Sequence, residues 1–199
     1  MLGNSFNQSN KYKNMKYPKL ITILAITASA FLAATTPNAR AASAAEIDQK
    51  SRSALQELYA KSPAARRVGH SAIAVLVFPD IVKGGFIWGG QRGEGALMSH
   101  GHTIGYYKTI AASYGLQAGI QKFGYALFFM HNGDLDYLRK SRGWEIGSGP
   151  SLVIVDTGMA KSLTTTTLRK GVYAFAFSQK GLMAGLGLQG SKITEIHPD

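Results

Sequence analysis

The 199-residue chain contains no cysteine, only six prolines, and half as many acidic as basic residues, 11 against 22. Without cysteine the protein has no disulfide bond, no thiol nucleophile and no lipid-modified cysteine. No G-x-S-x-G sequence is present, which excludes the nucleophile elbow of α/β-hydrolases. Because 45% of the residues are hydrophobic, we expect a packed core rather than wholesale disorder.

Long apolar runs are absent as well, apart from one near the N-terminus. Residues 16–36 read KYPKLITILAITASAFLAATT, in which lysines precede an apolar run and small residues follow. This run is short for a membrane span, which needs about 20 apolar residues. A-x-A cleavage sequences follow at 39–41 and 42–44, so we interpret residues 1–41 as a cleaved secretory signal peptide. The alternatives are an uncleaved membrane anchor and a true start at Met15.

The scarcity of acidic residues narrows the expected partners. Residues 1–41 hold five basic residues and no acidic one, so the predicted mature domain, residues 42–199, has a net charge of +6. Such a domain is attracted to lipid headgroups, nucleic acid or acidic polysaccharide. Export makes nucleic acid the least expected of these. We therefore predict a single periplasmic or secreted domain whose partner is an anionic phospholipid or membrane surface, with an envelope protein as the alternative.

Periodicity predicts two helices at the start of the mature domain. In residues 46–60 the apolar positions and Ser51 fall on one helical stripe, and most charged positions fall off it. Ser62 and Pro63 then fit the N-cap and first position of a second, short helix at 64–68.

Segments of β-type sequence follow. Residues 72–78, AIAVLVF, predict a strand buried on both faces and closed by a turn at 79–80. A hairpin turn is predicted at 99–102, and a short helix at 134–139 with Asn132 as its N-cap. Further strands are predicted at 85–88, 95–99, 103–108, 113–120, 125–130, 152–156, 172–178, 182–188 and 192–196.

This spacing of strands predicts the α+β class with β dominant. We expect a strongly bent antiparallel sheet or a barrel-like sandwich, capped on one side by the short N-terminal helices.

A glycine-rich stretch at 83–95 reads KGGFIWGGQRGEG. It is not a P-loop, because no Gly-Lys-Ser or Gly-Lys-Thr follows. A G-x-G-x-x-G match lies at 185–190, where no helix, second strand or acidic ribose ligand follows in the sequence. We therefore predict no nucleotide or other cofactor, and interpret the glycines as points of bending and close backbone approach within strands.

Three segments together form a recognisable signature: KGGFIWGGQRGEG at 83–95, GLQAGIQKFGYALFFM at 115–130 and YAFAFSQKGLMAGLGLQGS at 173–191. In this order and spacing they resemble the SYLF domain, a lipid-binding family that includes a yeast actin-binding protein. The resemblance covers residues 45–196 and implies structural signature positions rather than a catalytic set. It also implies binding to phosphoinositides and other anionic lipids, with actin contacts in some members. Because export makes actin and phosphoinositides unexpected here, the implied role is generic binding of anionic lipid or another envelope component.

Basic residues along the chain are the candidates for lipid contact. A surface cation contributes about 1 kcal/mol of attraction when it is held near an anionic leaflet, so several must share a face. For each residue taken singly, ordinary solubilising charge is the alternative. Phe86 and Trp88 are candidates for insertion at the interface, with core packing as the alternative. The lipid-binding candidates are Lys61, Arg66, Arg67, Lys83, Arg92 and Lys180, together with the basic group at 139–142.

Catalytic and metal sites have little support in the sequence. His100 and His102 have no partner pattern nearby, which favours an exposed hairpin tip over a metal site. An enzyme would need a site assembled in space from two of Glu94, Asp134, Asp156 and His102. We predict a non-enzymatic binding module without metal, and recognition of another protein at a sheet edge is the first alternative.

Overall fold

The structure is a computed structural model that describes residues 42–85, 88–114, 119–155, 157–163, 168, 171–177, 188 and 190–199. The described elements are, in chain order, α1 (Ala44–Lys61), α2 (Pro63–Ser71), β1 (Ala74–Gly85), β2 (Trp88–Ser99), β3 (His102–Tyr114), β4 (Gly119–Phe129), α3 (Asn132–Lys140), β5 (Trp144–Glu145), β6 (Leu152–Ile154), α4 (Thr157–Ser162), β7 (Val172–Phe177) and β8 (Lys192–Ile196).

The described strands form one sheet of eight, in the order β5-β8-β3-β2-β1-β4-β7-β6. All neighbouring strands in it are antiparallel, except for β6 and β7, which are parallel. The sheet is strongly curled into a half-barrel. The predicted α+β class and the bent sheet are therefore confirmed, and the described strands form a single curled sheet rather than a sandwich.

Hydrophobic clusters cover both faces of the sheet. In β1, Ala74, Leu76 and Phe78 belong to a cluster that includes residues of α3, on what we call the α3 face. Val75 and Val77 belong to a second cluster with residues of α1 and α2, on the α1 face. All five are buried, which confirms burial on both faces for residues 74–78, whereas Ala72 and Ile73 of the predicted strand precede β1 and are half-buried.

The two N-terminal helices cover one side of the sheet, as predicted. The stripe along α1 buries Ile47, Ser51 and Leu58. Ser62 ends α1 by donating its N–H to the Leu58 carbonyl at 2.8 Å, and its Oγ accepts a bond from the first turn of α2. The predicted cap is confirmed, although α1 has 18 residues and α2 has nine, so neither is as short as predicted.

Several predicted boundaries are wrong at the ends of the long strands. Residues 85–88 do not form a strand of their own, because Gly85 ends β1 and Trp88 begins β2. Residues 113–120 likewise include the end of β3 and the start of β4. Helix α3 has His131 rather than Asn132 as its N-cap, and this cap makes no side-chain hydrogen bond. The strand predicted at 182–188 lies almost wholly outside the described residues.

The turn predicted at 79–80 is also wrong, because β1 continues through it with a bulge. Between Phe78 and Ile81 the register of β1 gains one residue against β4, and a matching shift occurs against β2. A bulge is one of the few places where a proline fits inside a sheet, since the extra residue needs no ladder hydrogen bond. Pro79 therefore marks a bend in a central strand and not its end.

Glycines in both neighbouring strands lie against this bulge. A Cβ at Gly95 of β2 would lie 2.1 Å from the Val77 carbonyl oxygen, and a Cβ at Gly124 of β4 would lie 2.7 Å from the Pro79 carbonyl oxygen. No side chain fits at such distances, so both glycines permit close backbone approach, as the sequence context predicted for Gly95.

The Ser51 hydroxyl completes the hydrogen bonding beside the bulge. Its Oγ donates to the Val77 carbonyl and accepts from the Ala96 N–H, both at 3.3 Å. Val77 and Ala96 are register partners at the point where the ladder is interrupted. A serine on the apolar stripe of α1 thus supplies bonds that the bulged ladder lacks.

Polar contacts on the α3 face connect distant segments of the chain. Gln91, in the first glycine-rich motif, donates from Nε2 to the Ser191 Oγ at 2.9 Å, and both side chains are buried. The Tyr125 hydroxyl donates to the Thr109 Oγ1 at 3.0 Å, and burial raises the pKa of Tyr125. Gln91 and Ser191 thus join the two outer motifs inside the core, where they support the fold.

Replacing Ser51 with alanine is expected to lower the free energy of unfolding by about 1–3 kcal/mol, because two buried backbone groups lose a partner. Ser53→Ala is the matched control, since Ser53 is exposed on the same helix, and it should change stability by less than about 0.5 kcal/mol. Urea unfolding of both variants provides the measurement. Equal stabilities for the two would contradict the role given to Ser51.

Gly95→Ala is expected to destabilise the protein by about 3 kcal/mol or more, because its methyl group would collide with backbone. Gly90 in the same strand is the control, since a Cβ there would meet nothing closer than the Ala111 carbonyl oxygen at 3.5 Å. Thermal unfolding should separate the two variants clearly. If Gly95→Ala has the same melting temperature as the wild type, close backbone approach at the bulge does not explain why glycine is present at this position.

Candidate functional site

The predicted basic residues lie on several elements. Lys61 ends α1, Arg66 and Arg67 lie in α2, Lys83 lies on β1 and Arg92 on β2. Lys180 lies outside the described residues. Among these side chains, Lys61 and Arg67 line the same cavity.

This cavity, which we call the basic cleft, is an open groove of about 490 Å³ between α1, α2, α4 and β7. Three exposed cations stand around it, namely Lys61, Arg67 and Lys161. Its apolar lining is made by Leu58, Pro63, Ala64, Val155, Ala160, Phe175 and Ala176. No carboxylate is found among the described residues that line it.

The turn between the first two helices positions the first two cations. Ser62 is both the C-cap of α1 and the N-cap of α2, so the chain changes direction at a single residue. Lys61 precedes this residue directly, and Arg67 follows just over one helical turn later on α2. Lys161 comes from the last turn of α4, which brings a third cation from a distant part of the chain.

Each cation has a different set of contacts. The Lys61 Nζ pairs with the Glu57 carboxylate one turn earlier, but both side chains are largely exposed, at 72% and 47%, so the pair is weak. The Arg67 Nη2 donates to the carbonyl oxygens of Ala160 and Leu163, both at 3.4 Å. These bonds hold Arg67 against the C-terminal end of α4. Within the described part of the chain, Lys161 has no ion-pair partner.

The combination of a cationic rim with an apolar floor defines the chemistry that the basic cleft can accept. Binding pockets are typically apolar with a few placed polar groups that fix the ligand's orientation. An anionic group would be held by the rim, and an attached hydrocarbon portion would contact the accessible apolar side chains of Pro63, Ala160 and Ala176. The cleft therefore suits an amphiphilic anion better than a compact polar one.

Arg66 does not line the cleft. Its Nε and Nη2 donate to the Tyr59 carbonyl oxygen at 3.2 and 2.7 Å, which ties α2 back onto α1. The Tyr59 ring is half-buried nearby, and burial raises the pKa of its hydroxyl. Arg66 thus has a structural contact that the sequence did not indicate, and its part in lipid binding stays a prediction.

Lys83 and Arg92 lie on the part of the sheet beyond the bulge. Arg92 is the register partner of Val82, and successive side chains of a strand point to opposite faces. Lys83 therefore lies on the opposite face from Arg92, and the two do not share one basic surface. Their part in lipid binding also stays a prediction.

Lys161 is the cleft residue that sequence reasoning missed. It lies in α4, a helix of six residues whose sequence, TGMAKS, has no clear amphipathic pattern. The sequence shows only an isolated lysine here. Its position beside the other two cations depends on the packing of α4 near α2. Distant lysines of this kind cannot be grouped before the tertiary fold is known.

The histidine pair lies at the predicted hairpin turn. His100 and Gly101 both have positive φ, 49° and 79°, as a tight two-residue turn between strands requires. Ser99 and His102 are register partners on either side, so the hairpin is confirmed. Within the described residues, no three histidine, aspartate or glutamate side chains are grouped to hold a metal.

The alternative of an assembled acidic site gains no structural support. Neither the basic cleft nor a shallow groove on β1, β2 and β3 is lined by Glu94, Asp134 or His102. Asp156 lies outside the described residues. Among the described helices, none is long and apolar enough to cross a membrane.

The described strands and helices define a β-dominant α+β domain. Residues 110–198 match the sequence model of the Ysc84 family, whose description reads "Las17-binding protein actin regulator". This stretch, which begins within β3 and includes β8, is therefore similar to the Ysc84 or SYLF family, and the resemblance is confirmed over residues 110–198. No curated protein matches the chain.

The family is one of binding domains, related to lipid or actin, and it is not known as enzymatic. The matched stretch includes Lys161, whereas Lys61 and Arg67 precede it. Two of the three cations of the cleft therefore come from a segment outside the match.

Proposed function

We propose that this protein is an exported, non-enzymatic module that binds anionic lipid through the basic cleft. The observation that carries the proposal is the convergence of Lys61, Arg67 and Lys161 around an apolar floor. A phosphate group at the rim would meet three positive charges, and the beginning of an acyl chain would cover apolar surface that is now open to solvent. The match of residues 110–198 to a family of lipid- or actin-related binding modules supports this class of ligand.

Charge and the predicted leader support a location in the cell envelope. The mature domain would carry a net charge of +6, which favours approach to an anionic membrane. The apolar segment at 16–36 and the A-x-A sequences that follow it support export to the periplasm or out of the cell. An anionic phospholipid then fits both the charge of the domain and the lining of the cleft.

A protein partner is the second candidate. The family description names binding to another protein, and the apolar floor of the cleft could equally receive a side chain from such a partner. The two candidates differ in salt dependence, because attraction to a charged membrane is screened by salt and apolar packing is not.

Binding to vesicles tests the proposal directly. The protein, expressed as the full chain and purified after processing, should co-sediment increasingly with vesicles as their phosphatidylglycerol content rises, and less at high salt. Lys61→Gln with Lys161→Gln removes about 2 kcal/mol of attraction, which weakens binding about 30-fold. Arg67 is left intact because it also holds α4.

A matched control separates the cleft from general charge. Lys50 is an exposed lysine in an ion pair with a carboxylate four residues earlier, as Lys61 is, and Lys192 is an exposed lysine of β8. The Lys50→Gln, Lys192→Gln variant has the same net charge as the cleft variant and should bind almost as wild type does. Equal affinity for neutral and anionic vesicles in the wild-type protein would sink the lipid proposal and favour a protein partner.

A further inference from the structure

A second surface lies on the sheet beyond the bulge, at the end of the β1–β2 hairpin, which is flanked in the sheet by β4 on one side and β3 on the other. Gly85 pairs with both Gly89 and Gly119, so the end of β1 lies next to the starts of β2 and β4. On the same face of the sheet as Val77, the register aligns the next positions into rows that cross all four strands. These rows are formed by residues that none of the cleft interactions use.

The first row runs from β4 to β3 and alternates cation and aliphatic side chain. Lys122 is opposite Val82, Val82 is opposite Arg92, and Arg92 is opposite Ile110. Directly opposed residues share a face of the sheet. Four side chains in one row therefore present two positive charges and two branched apolar groups.

The second row lies two residues closer to the end of the β1–β2 hairpin and has few large side chains. Ile120 is opposite Gly84, Gly84 is opposite Gly90, and Gly90 is opposite Ala112. The other three residues have at most a methyl side chain, so only the Ile120 side chain projects far from this row. A shallow groove of about 350 Å³ lies beside it, lined in part by the two glycines.

Of the four exposed large aliphatic residues on the described strands, three lie on this surface and the fourth, Ile104, lies near the other end of β3. Ile120 is 77% exposed, Ile110 is 51% exposed and Val82 is 38% exposed, although all three are large aliphatic residues. Clustered apolar exposure of this kind marks an interaction surface more often than isolated exposed residues do. We call Val82, Arg92, Ile110, Ile120 and Lys122 the hairpin-end patch.

We propose that the hairpin-end patch inserts its aliphatic side chains into the interface of an anionic lipid bilayer, while Arg92 and Lys122 contact the lipid phosphates. This rests on the proposed function in that it names the same class of partner, but it uses a different surface. In a bilayer the phosphate layer lies directly above the acyl layer, so cationic and aliphatic side chains of one row can contact both layers at once. Long cationic side chains reach the phosphates while shorter aliphatic ones enter the apolar layer.

Charge argues for a lipid surface and against a second copy of the chain. Stacking two copies of the patch would bring Arg92 and Lys122 of one against the same cations of the other, and like charges in direct opposition are destabilising. The next row back pairs Glu94 with Lys108, so it adds no net charge. The patch keeps an excess of two positive charges, which an anionic membrane complements.

The absence of cysteine in the chain permits a direct test with single-cysteine variants. An environment-sensitive fluorophore is attached at Ile120→Cys, and at Ile104→Cys as the control. Ile104 is an isoleucine of β3 with 41% exposure near the opposite end of that strand. With vesicles of equal parts phosphatidylcholine and phosphatidylglycerol, the emission at position 120 should shift to shorter wavelength, whereas the emission at position 104 should stay as in buffer.

Affinity provides an independent readout. Ile110→Ser with Ile120→Ser should weaken vesicle binding by about tenfold or more, since apolar burial is lost, and Ile104→Ser should leave it unchanged. If the wild type binds vesicles but the probe at position 120 does not shift, the patch is overturned and the lipid proposal stands.

The remaining outcomes separate the two surfaces. If the probe shifts while Lys61→Gln with Lys161→Gln binds as wild type does, the patch is supported and the cleft is not the lipid site. A shift that occurs without vesicles and grows with protein concentration would show self-association and overturn the patch as a membrane surface. Absence of wild-type binding would overturn both proposals.

Discussion

The bulge in β1 is the constraint on which the rest of the structure depends. β1 lies between β2 and β4 in the sheet, and its first half is buried on both faces, so an extra residue within it shifts the pairing with both neighbours. Such a shift is tolerated only where the neighbouring backbones can approach and where the interrupted hydrogen bonds find other partners. Gly95 and Gly124 meet the first need, and the Ser51 hydroxyl meets part of the second.

The bulge also divides each long strand into two parts with different surroundings. Before it, the α1 face is covered by α1 and α2, and the basic cleft lies at the junction of these helices with α4. After it, the same face shows the exposed side chains of Ile110 and Ile120. The two candidate surfaces thus belong to two sections of one sheet, and only the covered section contributes to the main hydrophobic cluster beneath the helices.

Features set by local periodicity could be predicted from the sequence. The stripe of α1, the Ser62 cap and the doubly buried run at 74–78 depend on side chains within a few residues of one another, and they are confirmed. The failure at Pro79 has a physical reason, because proline followed by aspartate suits a turn and a bulge equally well. The choice between them is made by Gly95 and Gly124, which are remote in sequence. In the same way, charge alone could identify Lys61 and Arg67 as candidates. The inclusion of Lys161 follows from tertiary packing, and the placement of Lys83 and Arg92 on opposite faces follows from the register of the strands.

The single residue that joins α1 to α2 has a consequence for selectivity. Because Ser62 caps both helices and is followed by proline, there is no flexible loop between Lys61 and Arg67, and their Cα atoms keep the spacing that helix geometry imposes. A rim of this kind loses little conformational entropy when a ligand arrives, and it adapts little to the ligand's shape. The basic cleft would therefore distinguish anions by the distance between their negative groups, so that headgroups of equal total charge but different phosphate spacing would be held with unequal strength.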